Sequence, residues 1–494
     1  MEIKFDHTSC RCLKCLTDQL QHREQTQEVR LPETMPDIGR VLGCWGQVIL
    51  RGKEWRSGSM GANGGVMARV LYAPEDGTAP RSVEAWIPFQ MKWDLPDTQR
   101  DGSVWVDPKL VSIDARSTSA RKLMVRATVS ARGQALDCAD QPVFSPRELP
   151  EDVQVLQNTY PMELPVEFGE KMFQVEEDLD FPGDQSPVEH ILNFAAVPQI
   201  TEQKIVGSRL VFRGKLLLQV LYWADGGIRR WETEVPFSQF AELDRDHSPQ
   251  ALARILPLLT DSELEWVDGK LALKVGIAAQ FLIYEREMVK LTEDAYSPVR
   301  PVSLQTEPLE LPARLDRWRE PVTVTKTVPA EVAKILDINW IQEHPQDGEE
   351  GAVGLPGMFQ VLFYDPEGEL QCTTIRYDLP YAIQAGENAR VEIGVSAETS
   401  PVGSITADGM EITAEIMVET AVFANGTQPM VTGLELGAVT ASDPNRPSLI
   451  LCRCTDQSLW TLAKESGSTV DAICKANGLS GEPASGQMLL IPVT

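Results

Sequence analysis

The sequence predicts a mainly β protein, with tandem β-sandwich-like repeats followed by a small C-terminal βααβ unit. Three observations carry this. A run of apolar β-formers occurs three times, as Arg69-Val70-Leu71-Tyr72, Gln219-Val220-Leu221-Tyr222 and Gln360-Val361-Leu362-Phe363. Each copy enters an acidic, glycine-containing turn: Pro74-Glu75-Asp76-Gly77, Asp225-Gly226-Gly227 or Asp365-Pro366-Glu367-Gly368. A second extended run then ends in Ile87-Pro88-Phe89, Val235-Pro236-Phe237 or Leu379-Pro380-Tyr381. Two β-forming runs around such a turn are a hairpin signature, and a repeated hairpin means a repeated module.

Residues 1–28 read as a polar, cysteine-containing lead-in. Cys10-Arg11-Cys12-Leu13-Lys14-Cys15 places three thiols close together with His7 and His22 nearby. Three thiolates and an imidazole could hold zinc, but C-x-C-x-x-C without a second paired knuckle is a weak signal. Reduced thiols on a polar segment are the preferred reading, with Cys10, Cys12 and Cys15 kept as candidate ligands.

The first repeat spans 29–150, the second 151–305 and the third 306–440. Upstream of each hairpin lies a matching run: Ile38-Gly39-Arg40-Val41-Leu42, Val188-Glu189-His190-Ile191-Leu192 and Val332-Ala333-Lys334-Ile335-Leu336. Its spacing to the hairpin is nearly constant. Each repeat closes on a strand of period two. Leu123, Val125, Ala127, Val129 and Ala131 share one face in the first. Leu271, Leu273, Val275 and Ile277 do so in the second, and Met410, Ile412, Ala414, Ile416 and Val418 in the third. Pro- and acid-rich connectors separate the repeats, and 343–351 reads as an exposed acidic loop.

A linker, 441–448, precedes a different ending at 449–494. Leu449-Ile450-Leu451 reads as a strand, and Ser458 and Thr469 as caps of two helices. Asn477-Gly478 supplies a left-handed stop, and Gln487-Met488-Leu489-Leu490-Ile491-Pro492 is the closing strand.

Composition narrows the function. The chain has 494 residues, 43% of them hydrophobic, and a formal net charge of −27. Such acidity argues against nucleic-acid binding and against charge-driven docking on anionic lipid. The first residues carry no apolar core of signal-peptide length, and no run approaches the ~20 apolar residues of a spanning helix. With nine scattered cysteines, a cytoplasmic protein is expected.

The C-terminal segment resembles a LysM module. The likeness rests on Ser458-Leu459-Trp460-x-Leu462-Ala463, on Val470-x-x-Ile473-x-x-Ala476-Asn477-Gly478-Leu479, and on Gly486-Gln487-x-Leu489-x-Ile491-Pro492. The resemblance implies a shallow groove for N-acetylglucosamine glycans, formed by Thr455, Asp456, Gln457 and Ser458 facing Gly478, Leu479, Ser480 and Gly481. The sequence departs from the family there. Asp456-Gln457 replaces the usual Gly-Asp, and the first strand lacks its aromatic. The groove or an adjacent face is therefore open to a protein as well as a glycan.

The repeats are similar to SPOCS domains of endospore-forming firmicutes, on the three recurring motifs above. SPOCS repeats with a C-terminal LysM imply a spore-envelope morphogenetic protein, acting in the mother cell at the forespore surface. The resemblance further implies partners: the coat's basement-layer ATPase and other coat proteins.

Two readings follow. The first is a non-enzymatic scaffold for coat assembly, with avidity from linked modules. The alternative is a peptidoglycan-binding protein of the cell wall or spore cortex. No cofactor is expected, and no nucleophile–His–acid pattern, zinc-hydrolase helix or phosphate loop is present. His190 occupies a repeat position also filled by Arg40 and Lys334, and His247 lies in a polar stretch read as exposed. Glu176-Glu177 and Glu349-Glu350 read as acidic loops, which do not place carboxylates across a cleft. Trp460 reads as packing, whereas Trp223 and Trp231, flanking the second hairpin turn, are the preferred interface aromatics.

Overall fold

The computed structural model describes residues 1–493 except 97–101, 181–187, 348–351, 384–388, 398, 425–426, 441–445 and 455–456. It is mainly β, ending in two short helices between two strands.

One arrangement of strands recurs three times. In the first unit, Ser59–Pro74 pairs with Ile38–Arg56 and Arg81–Asp94 in an antiparallel meander. The facing sheet has Lys122–Pro146 at its centre, flanked by Phe5–Arg30 and Ser103–Ser119. The second unit builds its meander from His190–Val206, Arg209–Ala224 and Gly227–Glu242. Its other sheet centres Lys270–Tyr296 between Gln154–Leu179 and Leu252–Val267. The third uses Lys334–Gln342, Ala352–Tyr364 and Leu370–Ala382 against Arg314–Val328, Gly409–Ala424 and the pair Ala389–Ala397 and Val402–Thr406.

Period two explains why the sheets of each unit stack. The alternating residues of the closing strands, Leu123 to Ala131, Leu271 to Ile277 and Met410 to Val418, are all buried. Met60, Val66, Val70, Ile87, Met91 and Trp93 of the first meander cover that row from the other side. In the second hairpin, Asp225 and Gly226 take positive φ of 49° and 68°, the two-residue turn whose twist matches the strands it joins.

Two sequence expectations are corrected here. Residues 1–28 are no lead-in, because Phe5–Arg30 pairs along its length with Lys122–Pro146 and belongs to the first unit. Its pattern hides this: Cys10, Cys12 and Leu13 turn inward while most of the strand faces water. The stretch opening at Glu343 is not exposed throughout: Glu343 and His344 are buried, whereas Gln346 and Asp347 are exposed. Residues 348–351, including Glu349 and Glu350, lie outside the described residues.

The three units close into a ring. The third meander strand of each unit meets the first meander strand of the next: Ser82 Oγ donates to Ile191 O (3.1 Å), Arg230 Nε pairs with Asp337 Oδ1 (3.2 Å), and Arg40 Nη2 donates to Leu370 O (2.9 Å). At the centre, Leu42, Leu192 and Leu336 share one apolar cluster with Leu71, Leu221 and Leu362. These are the equivalent leucines of the two repeat motifs. A second shared cluster holds Leu136, Tyr284 and Phe423, which occupy equivalent steps of the closing strands, with Leu13, Trp105 and Leu282. Glu2–Ile3 and Val302–Leu309 both pair with Gln428–Leu436, joining the first described strand to the last of the ring.

The terminal unit pairs Leu449–Arg453 with Met488–Pro492 around α1 (Leu459–Ser466) and α2 (Val470–Asn477). Ser458 caps α1 by accepting from Thr461 N, and Thr469 caps α2 by accepting from Ala472 N. Gly467 and Gly478 end the helices at φ 63°. Leu459, Leu462, Ala463, Ile473, Leu489 and Ile491 form the core. Among the described residues, no helix is long and apolar enough to cross a membrane.

Candidate functional site

The candidate groove runs between the start of α1 and the loop after α2. Thr455 and Asp456 lie outside the described residues. Gln457 and Ser458 are exposed, as are Gly478, Ser480 and Gly481 across the groove. Leu479 is half-buried, packs on the small core and donates its N–H to Cys474 O (3.0 Å).

Glu482, absent from the sequence reading, joins the two loops. Its Oε2 accepts from Leu459 N (2.9 Å) at the first turn of α1. Thr461 N is taken by Ser458 Oγ (3.2 Å). Helix N-termini are ready sites for acceptors because their first N–H groups lack partners. Here a carboxylate of the chain itself takes one, leaving less main-chain donation for a sugar oxygen.

An adjacent face has the opposite character. Leu449 (51% exposed), Leu451 (63%), Met488 (52%) and Leu490 (40%) stand on the outer side of the two-stranded sheet. Strand alternation puts Ile450, Leu489 and Ile491 inward and these four outward. Asn477 covers the last strand's edge, with Nδ2 donating to Leu490 O (2.6 Å) and Oδ1 accepting from Leu490 N (2.8 Å). That leaves the face, rather than that edge, as the exposed surface.

The unit is held to the ring from its other side. Trp460 Nε1 donates to Asp294 Oδ2 (2.8 Å), Lys464 Nζ pairs with the same carboxylate (2.8 Å), and Tyr296 OH donates to Ser468 O (2.9 Å). The Tyr296 and Trp460 rings meet edge-on at 4.8 Å. Trp460 thus packs at a seam between the terminal unit and the second unit.

The remaining sequence candidates are scattered. Trp223 is half-buried on the central leucine cluster, and Trp231 is half-buried against the core of the second unit. Cys10 and Cys12 turn into the core on one face of their strand, and Cys15 packs beside the Leu136 cluster. Burial first, then Glu287, pushes the Cys10 thiol up to about 12, and burial raises Cys12 and Cys15 to about 11. These are thiols held protonated at neutral pH. Among the described residues no three His, Cys, Asp or Glu side chains cluster as metal ligands would. Glu176 and Glu177 sit on a strand, opposite Lys274 and Leu273, and so point to opposite faces.

His247 is a correction. Rather than being exposed, it is buried, with Nε2 2.8 Å from Glu167 Oε2 and Nδ1 3.1 Å from Glu285 Oε1. The second approach lacks hydrogen-bond geometry. Glu167 also accepts from Asp244 N, and Arg245 pairs with Glu285. The four groups pin the connector between the two sheets, which a polar sequence does not announce.

Comparison with known proteins finds two domain families in the chain. Residues 187–271 match the family described as SipL, SPOCS domain, and residues 455–492 match the LysM domain. No curated protein and no solved structure matches the chain. The SPOCS match falls on the second unit; the first and third resemble it in strand pairing. A SPOCS domain with a LysM domain indicates a sporulation-related protein that carries a module of the peptidoglycan-binding type.

Proposed function

We propose that the chain is a non-enzymatic scaffold or adaptor of endospore coat or envelope assembly. It docks coat proteins at the forespore surface, on the mother-cell side, through its LysM module and its ring. The observation that carries this is the terminal unit: four exposed apolar side chains beside a groove whose helix-start donors Glu482 and Ser458 already engage. Clustered exposed apolar residues mark protein contacts more readily than sugar contacts. The expected partners are the basement-layer coat ATPase and other coat proteins.

A peptidoglycan-binding role is the second reading, favoured by the LysM match over 455–492. Both are tested on the full chain, by titrating the purified basement-layer ATPase and by co-sedimentation with purified peptidoglycan. The scaffold reading expects saturable ATPase binding that weakens at least tenfold in a Leu451→Ser, Leu490→Ser variant, with no saturable glycan binding. Saturable glycan binding without ATPase binding, lost on replacing Leu479 by Ala, moves the glycan reading first.

A further inference from the structure

In each unit one strand flanks the closing strand on its outer side: Phe5–Arg30, Gln154–Leu179 and Arg314–Val328. The latter two pair with each other only at Glu163 and Arg314, so all three present a long free edge. Register aligns them. Arg23 stands opposite Val129, Phe173 opposite Ile277 and Val322 opposite Ile416, the same step of each closing row.

The three strands differ in what they bury. Phe173 packs on Phe212 and Phe237, with ring centroids 6.1 and 5.3 Å apart, and Val175 lies in the second core. Val324 lies in the third core, with Val322 packed against it. In the first unit the same positions hold Arg23 and Gln25, and every residue from His22 to Glu28 is exposed. That stretch gains no burial on either face. It is held by its ladder to Lys122–Pro146 and by ion pairs of Glu28 with Lys122 and Glu24 with Arg126.

Its outer edge is also unguarded. Pro321 stands opposite Met417 as His22 stands opposite Ser130, one step further along each closing row. An edge strand admits proline where the missing N–H would face away from the ladder. His22, and by period two Glu24, Thr26 and Glu28, therefore turn their N–H and C=O groups outward. Proline blunts that edge in the third unit, and the successive carboxylates Glu176, Glu177 and Asp178 blunt it in the second. His22–Glu28 contains no proline, no glycine and no run of like charge.

Charge decides which occupant can approach. Residues 1–150 hold 20 Lys and Arg against 19 Asp and Glu, whereas residues 151–494 hold 25 against 53. The whole net charge of −27 thus lies beyond the first unit. Two copies meeting through their first units join near-neutral parts and keep their acidic parts apart. The stretch is also complementary to itself. In an antiparallel pair centred on Gln25, His22 stands opposite Glu28 and Glu24 opposite Thr26, twice over. Every outward backbone group from 22 to 28 is then matched, and no like charges face each other. Centring the pair on Glu24 or Thr26 instead sets Glu24 against Glu24 or against Glu28, which is unfavourable.

We propose that the free edge at His22–Glu28 is a self-association surface, pairing antiparallel with the same stretch of a second copy about a two-fold axis at Gln25. The contact is isologous, so it closes at a dimer and continues the first unit's sheet into its partner's. One added ladder is far smaller than a standard interface, so association in the micromolar range is expected. The surface is separate from the terminal unit and does not depend on the scaffold reading.

Sedimentation equilibrium of the full chain at rising concentration should show monomer passing into dimer. Thr26→Pro removes an outward N–H and spares the ladder to Lys122–Pro146, as Pro321 does in the third unit. It should abolish the dimer with the circular dichroism spectrum unchanged. Gln25→Glu and Gln25→Lys each set like charges across the two-fold and should weaken the dimer severalfold, whereas an equal mixture of the two should restore it. That pair carries the test if Thr26→Pro does not fold. A dimer that survives Thr26→Pro, or charge variants that associate no better mixed than alone, would overturn the proposal. So would a chain that stays monomeric to millimolar concentration, which would leave the edge to an extended segment of another protein.

Discussion

His247 and His344 show what burial does to a side chain whose sequence neighbours are polar. His344 leaves the third meander and inserts against the first unit, Nε2 3.0 Å from Asp107 O and Nδ1 3.8 Å from Asp107 Oδ2. Burial is the largest influence and lowers its imidazole from 6.5 to about 4, with Asp107 pulling the other way. The folded chain thus holds a neutral imidazole that the unfolded chain protonates near 6.5. Where the unfolded state binds more protons, stability rises with pH. The stabilisation is therefore complete above 6.5 and is lost as pH falls from there toward 4. Its size is on the order of 3 kcal/mol, at 1.36 kcal/mol per unit. Urea unfolding near neutral pH and near the lower value measures it. His344→Gln should flatten the dependence, and an unchanged pH slope in that variant would show that this histidine is not its source.

At the scale of the element, the hairpin motif is explained by a glycine and an aromatic ring. Gly64 stands opposite Phe89 and Gly214 opposite Phe237, in both cases the aromatic that ends the apolar-Pro-aromatic run. A Cβ on Gly214 would sit 2.2 Å from Gln199 O and 2.4 Å from Phe237 Cζ, and one on Gly64 would sit 2.1 Å from Ile49 O. The strand passes so close to its neighbour that a side chain has no place, and the ring covers the gap. Gly214→Ala is expected to cost roughly 2–3 kcal/mol in denaturant unfolding, through overpacking and displaced backbone. A loss within error of zero would mean that the strand relaxes freely. The third unit departs from the pairing, with Tyr381 opposite Val353, so the aromatic repeats in sequence more faithfully than its glycine partner does.

At the scale of the whole molecule, the ring packs three sandwiches around shared apolar clusters. Leucines contributed by all three units fill the central cluster, and each unit touches both others. Leu221, 2% exposed, lies within it. Leu221→Ala is expected to lower stability by about 2–5 kcal/mol, the cost of a lost transfer term plus a cavity. Calorimetry should show one transition in the parent and one shifted transition in the variant. Separate transitions, only one of which moves, would mean that the units unfold independently.

The sequence by itself determined the elements whose burial is local. A closing strand such as Leu271 to Ile277 alternates because one face meets its own unit's meander. The helix caps Ser458, Thr469 and Gly478 act within a turn of where they stand. The recurring leucines were legible as a pattern, though not as a shared cluster. Tertiary structure alone decided the rest. Phe5–Arg30 is a strand because Lys122–Pro146 offers it an edge, and so few of its residues turn inward that no period marks it. Glu482 reaches the start of α1, and Trp460 and Lys464 reach Asp294, through approaches that carry no sequence periodicity. Ring closure depends on how three similar surfaces meet. Their energies come from side chains far apart in the chain, and a local pattern records only which face of a strand is buried, never against what.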